Sequence, residues 1–289
     1  MHFWTIVRRT AAAAGISLAL AGTAGAGEIF ADAVRSNALG RDVKFTVYLP
    51  DGYKEGAGPY PVVYLLHGAG GDENDWRLKG SALETLDGLQ KRGLMRPSVV
   101  VMPTTGPHTW WADSIGEKAE TAIVADLFSY VEGKYKVARD RKGRAIGGLS
   151  MGGYGALNLA LRHPAKFCAA GIISPAIYDP LPPETSASRK APPFLRNGQF
   201  DPELWKSLNY PAHLAAYQAQ PLRVPMWIVS GDHDFLGIAV MSANLYWRIL
   251  QIQPKQAELR VIDGDHEYMV FRDALPDALL YMERACTRG

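Results

Sequence analysis

The amino-acid sequence predicts one α/β domain whose mostly parallel sheet carries helices on both faces. The chain has 289 residues, of which 47% are hydrophobic and 21% are charged, so it is long and apolar enough to bury a sizeable core. Short apolar runs bounded by turn residues alternate with segments of helical periodicity. Several runs are apolar at every position, which is typical of strands that are covered on both faces.

Seven apolar runs are predicted strands, and they lie at 43–49, 62–66, 99–102, 144–147, 169–173, 226–230 and 259–262. Helical patterns at 121–135 and 239–250 lie between some of them. Because parallel strands need crossover connections that are usually helices, this alternation places the strands in one sheet and one domain.

A proline-rich segment at 176–220 interrupts the alternation. A connection of this length between two strands is usually a lid or a disordered insertion. Its aromatic residues favour a packed lid, and they are Phe194, Phe200, Trp205, Tyr210 and Tyr217. They suit either contact with an apolar acyl group or the packing of the lid itself.

The N-terminus has the pattern of a signal peptide at 1–26. Arg8 and Arg9 precede an apolar, alanine-rich stretch, and small residues follow it, so we expect cleavage after Ala26 and a mature domain at 27–289. The stretch is too short and too interrupted by glycine for a membrane span, which leaves an uncleaved anchor as the lesser alternative. The paired arginines also permit twin-arginine export. We therefore expect an exported protein, either periplasmic or secreted.

The charge balance gives no electrostatic reason to expect nucleic acid or a membrane surface as a partner. The chain has 31 basic and 29 acidic residues, and loss of the two arginines of the signal peptide leaves the mature chain formally neutral. The sequence contains no block of like charges. We expect no nucleic-acid partner and no stable membrane insertion.

The two cysteines, Cys168 and Cys286, are too few for a disulfide scaffold and lack the Cys-x-x-Cys spacing of zinc and redox sites. Export permits them to pair. Cys168, however, lies in the apolar run FCAAGII, and a buried free thiol is the simpler interpretation.

A candidate nucleophile lies between a predicted strand and an amphipathic helix. The string GLSMG at 148–152 is a G-x-S-x-G match in the strand-to-helix context that the motif requires. Ser150 would occupy a strained turn whose neighbouring glycines let strand and helix approach closely. The alternative is a glycine-rich turn that contains a serine by chance.

A glycine-rich turn follows the second predicted strand, at HGAGG, 67–71. A tetrahedral intermediate needs two backbone N–H donors where negative charge develops, and we predict the N–H groups of Ala69 and Met151 for this oxyanion hole. Phosphate binding by the same turn is disfavoured because Asp72 and Glu73 follow it and no Walker lysine is present.

Two similar pentapeptides, GDHDF at 231–235 and GDHEY at 264–268, follow the last two predicted strands. A serine nucleophile needs an imidazole base and a carboxylate that orients it, in the chain order Ser, acid, His. This order predicts Asp234 as the acid and His266 as the base. Asp232 as the acid, His233 as the base, and a metal site built from both histidines and carboxylates remain alternatives.

Trp110 and Trp111, in the string HTWWADS, follow the third predicted strand and would reach the mouth of the cleft. Exposed tryptophans stack on sugar rings or on aromatic acyl groups, although one of them could instead pack under the lid. We expect Trp110, Trp111, His67 and Trp205 to contact the substrate.

These motifs together resemble the esterase D-like branch of the α/β-hydrolases, which includes bacterial feruloyl and acyl-carbohydrate esterases, S-formylglutathione hydrolases and mycolyltransferases. The strings that carry the resemblance are YLLHGAGGDENDW, HTWWADS, AIGGLSMGGYGALNLALRHPAKF, SGDHDFLG and DGDHEY. It runs from about Phe45 to the C-terminus. It implies an α/β-hydrolase fold, and it assigns the same triad and oxyanion donors. The proline-rich lid departs from the compact feruloyl esterases, and the signal peptide fits cytosolic S-formylglutathione hydrolases poorly.

The expected activity is that of an exported serine carboxylesterase acting on feruloyl, acetyl or related carbohydrate-linked esters through an acyl-enzyme on Ser150. Two alternatives are an acyltransferase that moves the acyl group to a sugar hydroxyl, and a hydrolase-fold binding protein without catalysis. Serine hydrolysis needs no cofactor, so we predict neither a cofactor nor a metal.

Overall fold

An eight-stranded sheet forms the centre of the protein, with strand order β1-β2-β4-β3-β7-β8-β11-β12. The computed structural model describes residue 1 and residues 25–54 and 57–288. The strands are β1 (Glu28–Arg35), β2 (Asp42–Leu49), β3 (Val62–Leu66), β4 (Val99–Thr104), β5 (Asp113–Ser114), β6 (Glu117–Lys118), β7 (Arg144–Leu149), β8 (Ala169–Ile173), β9 (Leu195–Arg196), β10 (Gln199–Phe200), β11 (Met226–Gly231) and β12 (Ala257–Ile262). The short pairs β5–β6 and β9–β10 form separate hairpins.

The helices are α1 (Asp75–Leu78), α2 (Ala82–Lys91), α3 (Ala119–Thr121), α4 (Phe128–Lys134), α5 (Met151–Arg162), α6 (Pro202–Leu208), α7 (Leu214–Ala219), α8 (Ile238–Ile252) and α9 (Tyr268–Arg288). A π-helical segment at Ala122–Leu127 joins α3 to α4. Short 3₁₀ helices lie at Arg141–Gly143, Ala187–Lys190, Pro192–Phe194 and Tyr210–His213. None of these described helices combines the length and the apolar character that crossing a membrane requires.

Each face of the sheet packs on its own hydrophobic cluster. In β3, Val62, Tyr64 and Leu66 belong to one cluster, whereas Val63 and Leu65 belong to the other. The alternation follows from the period of two in a strand. The first cluster includes residues of α5 and α8, and the second includes residues of α2 and α9, so helices cover both faces as the sequence predicts.

Strands β3, β4, β7, β8, β11 and β12 pair in parallel, whereas β1 and β2 are antiparallel at one edge. All seven predicted strands are present, and the predicted fold class is confirmed. Strand β1 was not predicted. Its side chains are exposed or half-buried at every position, so it lacks the apolar run by which the other strands were found. Apart from residues 1, 25 and 26, the predicted signal peptide lies outside the described residues.

The segment at 176–220 is folded into short helices, the β9–β10 hairpin, α6 and α7. Its aromatic side chains build a cluster against α5, in which the Phe194 and Trp205 ring centroids lie 4.8 Å apart and Tyr154 lies 5.7 Å from Trp205. The Trp205 indole also donates a 3.1 Å hydrogen bond to the Tyr178 carbonyl. Because Phe194, Trp205, Tyr210 and Tyr217 are all buried, these rings stabilise the segment itself.

Cys168 and Cys286 form a disulfide. The expectation of a buried free thiol at Cys168 was therefore wrong. Cys168 directly precedes β8, and the end of α9 crosses the sheet to meet it, with the two Cα atoms 5.0 Å apart. A position in an apolar run predicts burial, and it does not reveal a partner 118 residues away in the sequence.

Candidate active site

Ser150 lies at a sharp turn between β7 and α5. Its backbone has φ of 54° and ψ of −116°, a conformation that non-glycine residues rarely adopt and that costs energy. Crowding around the turn explains the glycines beside it: a Cβ at Gly152 would collide with the Leu66 carbonyl, and one at Gly153 would lie 2.8 Å from the Ile173 carbonyl oxygen. The glycines therefore let α5 start directly against the sheet.

Three remote side chains converge at this turn. His266 Nε2 lies 2.8 Å from Ser150 Oγ, and His266 Nδ1 lies 2.7 Å from Asp234 Oδ2. Because a carboxylate only accepts hydrogen bonds, Nδ1 carries the proton and donates it to Asp234, which leaves Nε2 free to accept from the serine hydroxyl. The Asp234 side chain is fully shielded from solvent. Its second oxygen accepts a 3.0 Å hydrogen bond from the Leu236 N–H.

The two pentapeptides lie side by side at the carboxyl ends of β11 and β12. The His233 N–H donates to the Gly264 carbonyl at 3.0 Å, and the Gly264 N–H donates to Asp232 Oδ1 at 3.1 Å. Asp265 Oδ1 accepts from the Phe235 N–H at 3.1 Å and from the His266 N–H at 2.7 Å. These two N–H groups lower the pKa of Asp265. The similar strings thus form one hydrogen-bonded unit that supplies the acid from one half and the imidazole from the other.

Asp232 and His233, the alternative acid and base within the pentapeptides, lie away from Ser150. Asp232 and His233 face solvent and pair with each other, with His233 Nδ1 2.8 Å from Asp232 Oδ1. Neither residue contacts Ser150. His233 also groups with Asp232 and Asp263 in an exposed cluster, and His266 is not part of it, so the two histidines do not form one ligand set.

The turn at 67–71 lies against the serine turn, since a Cβ built on Gly68 would lie 3.5 Å from Ser150 Cβ. Among the described residues, the N–H groups of Ala69 and Met151 have no hydrogen-bond acceptor within the protein. The neighbouring Gly70 and Gly71 N–H groups are bonded to the carbonyls of Pro107 and Gly68. The two predicted oxyanion donors are therefore available to a ligand.

His67 supports this turn from beneath. Its side chain is buried, with Nδ1 2.7 Å from the Gly68 carbonyl and Nε2 2.9 Å from Thr104 Oγ1. Nδ1 donates to the carbonyl, and Nε2 accepts from the hydroxyl. Burial lowers the pKa of His67, which keeps the ring neutral. His67 does not line the cleft, so the expectation that it contacts substrate was wrong.

A cleft of about 340 Å³ opens above Ser150. Its walls include the apolar or aromatic residues Trp110, Leu149, Ala176, Tyr178, Phe235, Leu236, Tyr268 and Phe271. The polar residues Thr185 and Ser186 of the 176–220 segment form part of the same wall. Phe235 is 73% exposed and its ring centroid lies 6.5 Å from that of His266, so it offers an apolar contact beside the imidazole.

The predicted pair of exposed tryptophans is not found. Trp110 and Trp111 are 1% and 2% exposed, and both have positive φ. Trp110 packs on Phe194 and Tyr154 while one side of it still lines the cleft. Trp111 packs edge-on against His67 and, like the fully buried Trp205, does not line the cleft. Phe194 and Trp205 of the segment at 176–220 pack on Trp110, whereas Trp111 lies against α5 at Gly155.

A polar cluster that was not predicted from the sequence lies at the rim of the cleft. The Tyr268 hydroxyl donates to Asp75 Oδ2 at 2.8 Å, and Lys79 Nζ lies 2.9 Å from Asp75 Oδ1. Lys79 also lies 5.3 Å from the centre of the Tyr268 ring. All three residues line the cleft. Asp75 and Tyr268 occur in the strings that carry the family resemblance, and the four-residue spacing of Asp75 and Lys79 was a further signal.

The chain matches a known family over most of its length. The sequence profile of the family described as "Putative esterase" matches residues 36–282. The chain belongs to this esterase family. The predicted resemblance to the esterase D-like branch of the α/β-hydrolases is thereby confirmed.

Individual relatives of this esterase-family protein agree with that assignment. It is 32% identical over 210 residues to an endo-1,4-beta-xylanase/feruloyl esterase of Xylanibacter ruminicola. The matched region covers 70% of this chain and 28% of that relative. It is 34% identical over 159 residues to the diacylglycerol acyltransferase/mycolyltransferase Ag85B of Mycobacterium avium, covering 51% of this chain and 43% of the relative. The chain thus spans less than half the length of these curated relatives.

The fold of the esterase-family protein also matches solved structures. A ferulic acid esterase superposes with a TM-score of 0.76 at 26% sequence identity, covering 90% of this chain and 98% of that one. The α/β-hydrolase fold is therefore shown both by topology and by comparison.

Proposed function

We propose that the protein is a serine carboxylesterase in which Ser150 is the nucleophile, His266 the general base and Asp234 the residue that orients the imidazole. The observation that carries the proposal is the continuous hydrogen-bonded series from Ser150 Oγ through His266 to Asp234, with distances of 2.8 and 2.7 Å. A serine hydroxyl becomes a competent nucleophile when an oriented imidazole takes its proton.

In the proposed acylation step, Ser150 Oγ attacks the ester carbonyl carbon while its proton passes to His266 Nε2. The Ala69 and Met151 N–H groups stabilise the negative charge that develops on the carbonyl oxygen. The imidazolium, stabilised by the Asp234 carboxylate, then gives the proton to the departing alkoxide, and the alcohol leaves. An acyl-enzyme ester on Ser150 remains.

Deacylation repeats this sequence with water. His266 takes a proton from the attacking water and returns it to Ser150 Oγ as the second tetrahedral intermediate collapses. The carboxylic acid leaves, and the free serine is restored.

The apolar character of the cleft favours an ester with an aromatic or other apolar acyl group. Phe235, Leu236 and Phe271 surround the triad, and the protein is similar to relatives described as feruloyl esterases. We therefore propose feruloyl or related carbohydrate-linked esters as the substrate class. Hydrolysis of methyl ferulate, methyl acetate and feruloylated xylo-oligosaccharide at matched concentrations tests this, and a clear preference for the acetyl ester would contradict it.

Hydrolysis of p-nitrophenyl acetate by wild type and by Ser150→Ala tests the nucleophile. The variant is expected to lose activity by about 10³-fold or more. Ser186→Ala is the matched control because Ser186 lines the same cleft and contacts no triad residue. Equal rates for Ser150→Ala and wild type would overturn the proposal.

Acyl transfer is a second candidate, favoured by the similarity to a mycolyltransferase. The triad chemistry is identical up to the acyl-enzyme, and the products differ only in whether water or a sugar hydroxyl attacks it. Product analysis with added trehalose or xylo-oligosaccharide separates the two. A transacylated sugar that outweighs the free acid would establish transfer, and free acid alone would dismiss it.

We further propose that the protein is exported to the periplasm or secreted. The N-terminal pattern of paired arginines and an alanine-rich apolar stretch supports this, as does the disulfide, since disulfides persist in oxidising compartments. Mass spectrometry of the protein recovered from the periplasm and the medium is expected to show an N-terminus at Gly27. Recovery of the whole protein in the cytoplasm with residues 1–26 attached would contradict it.

A further inference from the structure

A second cavity, of about 300 Å³, lies far from the triad. Pro225 and Gln256, which directly precede β11 and β12, line it, so it lies at the amino ends of these strands. Asp234 and His266 follow the carboxyl ends of the same strands. Because β11 spans six residues, about 20 Å of sheet separates the two cavities.

Cationic side chains dominate the wall of this second cavity, and they are Arg141, Lys142, Arg223, Lys255, Arg284 and Arg288. Glu258 is the one acidic residue among the lining residues, and its carboxylate pairs with Arg260 at 2.7 Å. Within the part of the chain that the structure describes, none of the six cations forms an ion pair with a carboxylate. Counted over the described lining residues, six cations and one carboxylate give the cavity a net positive charge.

Two of the arginines are positioned by backbone carbonyl groups and not by carboxylates. Arg141 Nε donates to the Pro164 carbonyl at 2.9 Å, and one of its terminal nitrogens donates to the Arg223 carbonyl. Arg223 donates to the carbonyls of Gln218 and Leu222, each at 2.9 Å. Both arginines are half-buried, whereas the other four cations are exposed. Neutral carbonyl acceptors position these two guanidinium groups and leave their charge free.

The wall of the cavity is also covalently fixed. Cys168 and Cys286 both line it, and their disulfide ties the end of α9 to the start of β8. Arg284 lies two residues before Cys286 on α9, so the bond restrains the backbone that carries this cation. A restrained backbone limits the ordering cost of binding a ligand.

We propose that this cavity binds a compact polyvalent oxyanion, meaning a small molecule or oligosaccharide that carries two or more carboxylate or phosphate groups. Guanidinium groups match the planar, two-oxygen geometry of carboxylate and phosphate, and several cations around one concavity favour more than one negative group. The site is separate from ester chemistry and does not depend on the proposed function.

The shape and lining of the cavity argue against larger polyanionic surfaces. No strongly exposed large apolar side chain is among its lining residues, whereas binding to a membrane surface usually adds buried apolar groups to the electrostatic attraction. A cavity of about 300 Å³ admits one or two sugar or phosphate units and is far smaller than a nucleic-acid duplex. Duplex DNA and anionic vesicles are therefore negative probes.

Isothermal titration calorimetry at low salt, with digalacturonate and with pyrophosphate as separate probes, tests the proposal. Binding of either probe, with no heat from neutral xylobiose, is expected. The two arms identify the source of the oxyanion, carboxylate or phosphate. Binding of neither probe at millimolar concentration would overturn the proposal, as would binding of duplex DNA or phosphatidylglycerol vesicles in the absence of binding by both small anions.

A matched pair of charge variants locates the site. The cavity variant carries the three substitutions Lys142→Glu, Lys255→Glu and Arg284→Glu. It is expected to bind the anionic probes about tenfold or more weakly than wild type at low salt, because three cations at the ligand become anions. The control variant carries Lys44→Glu, Lys91→Glu and Lys136→Glu, which make the same change in net charge at exposed positions outside the cavity. It is expected to bind the anionic probes nearly as tightly as wild type. Unchanged p-nitrophenyl acetate hydrolysis shows that both proteins are folded. Equal weakening in the two variants would assign the effect to net charge and overturn the site.

Discussion

The Tyr268 hydroxyl donates a 2.8 Å hydrogen bond to Asp75 Oδ2, and so joins the first residue of α9 to the first residue of α1. Asp75 follows the oxyanion turn by four residues, and Tyr268 follows His266 by two. The bond therefore connects the segment that carries the predicted oxyanion donor Ala69 to the segment that carries the imidazole.

Tyr268→Phe is expected to lower the free energy of unfolding by about 1 to 3 kcal/mol, because the buried Asp75 carboxylate loses a donor. It is also expected to lower kcat, since His266 loses a nearby restraint. Urea denaturation and p-nitrophenyl acetate kinetics measure the two effects. Tyr281→Phe is the control, because the Tyr281 hydroxyl makes only a long 3.4 Å contact with the Gln256 carbonyl. Equal losses in the two variants would show that the Asp75 bond contributes nothing particular.

Asp234→Asn is expected to reduce kcat by about 10³- to 10⁴-fold, because an amide in this position no longer selects the imidazole tautomer that accepts the serine proton. Asp232→Asn is the matched control, since Asp232 is the corresponding neighbour in the same pentapeptide and pairs with exposed His233. It is expected to leave kcat close to wild type. A larger loss in Asp232→Asn than in Asp234→Asn would reverse the assignment of the acid.

Removal of the disulfide is expected to destabilise the protein by about 4 to 5 kcal/mol in the chain-entropy account, because the bond closes a loop of more than a hundred residues. Cys168→Ser/Cys286→Ser is compared with wild type by thermal and urea unfolding, with and without dithiothreitol. The reductant should lower the stability of wild type and leave the double variant unchanged. Wild-type stability that is indifferent to reductant would contradict the pairing.

Gly155→Ala is expected to destabilise the fold by about 1 to 3 kcal/mol, since the added methyl would lie 2.6 Å from the Trp111 ring and force it to move. Gly88→Ala in α2 is expected to change the free energy of unfolding in the opposite direction. The added Cβ would meet nothing within 4 Å, so alanine should stabilise α2 by about 0.5 to 1 kcal/mol. Urea unfolding of the two variants measures the contrast. Stabilisation by both substitutions would show that the Trp111 ring moves away from the added methyl without a cost in stability.

Burial lowers the pKa of His67 in the folded protein, so the unfolded chain takes up a proton at this position at a higher pH than the folded chain does. The free energy of unfolding should therefore fall as pH falls below the unfolded pKa of about 6.5, at up to about 1.4 kcal/mol per pH unit, until the folded pKa is reached. His67→Gln is expected to show a shallower fall between pH 7.5 and 5.5 in urea unfolding. If wild type and His67→Gln show the same pH dependence of unfolding, His67 does not cause the loss of stability at low pH.

The motifs of the site were predictable because each is a local string with a fixed place in the fold. The G-x-S-x-G turn, the glycine-rich turn after β3 and the two pentapeptides each follow a strand, and parallel strands bring their carboxyl ends to one edge of the sheet. The chain order of serine, acid and histidine then assigned Asp234 and His266, and the structure brings both to Ser150.

The remaining features depend on contacts between distant segments, which local patterns do not contain. Trp110 is buried because the segment at 176–220 packs over it, and Cys168 meets Cys286 because α9 returns across the sheet. The cationic cavity collects side chains from four separate parts of the chain, around 141, 223, 255 and 286. A chain of formal net charge +2 without a basic run therefore gave no indication of this cavity.

The paired loops after β11 and β12 have a consequence for engineering. Because backbone and side-chain hydrogen bonds cross between them at Asp232, His233 and Gly264, neither loop has an independent shape. Transplanting one of them from a homologue, or lengthening it by a residue, would leave its neighbour without its bonding partners and shift the imidazole. Designers who wish to alter this rim should exchange both loops as a single cassette.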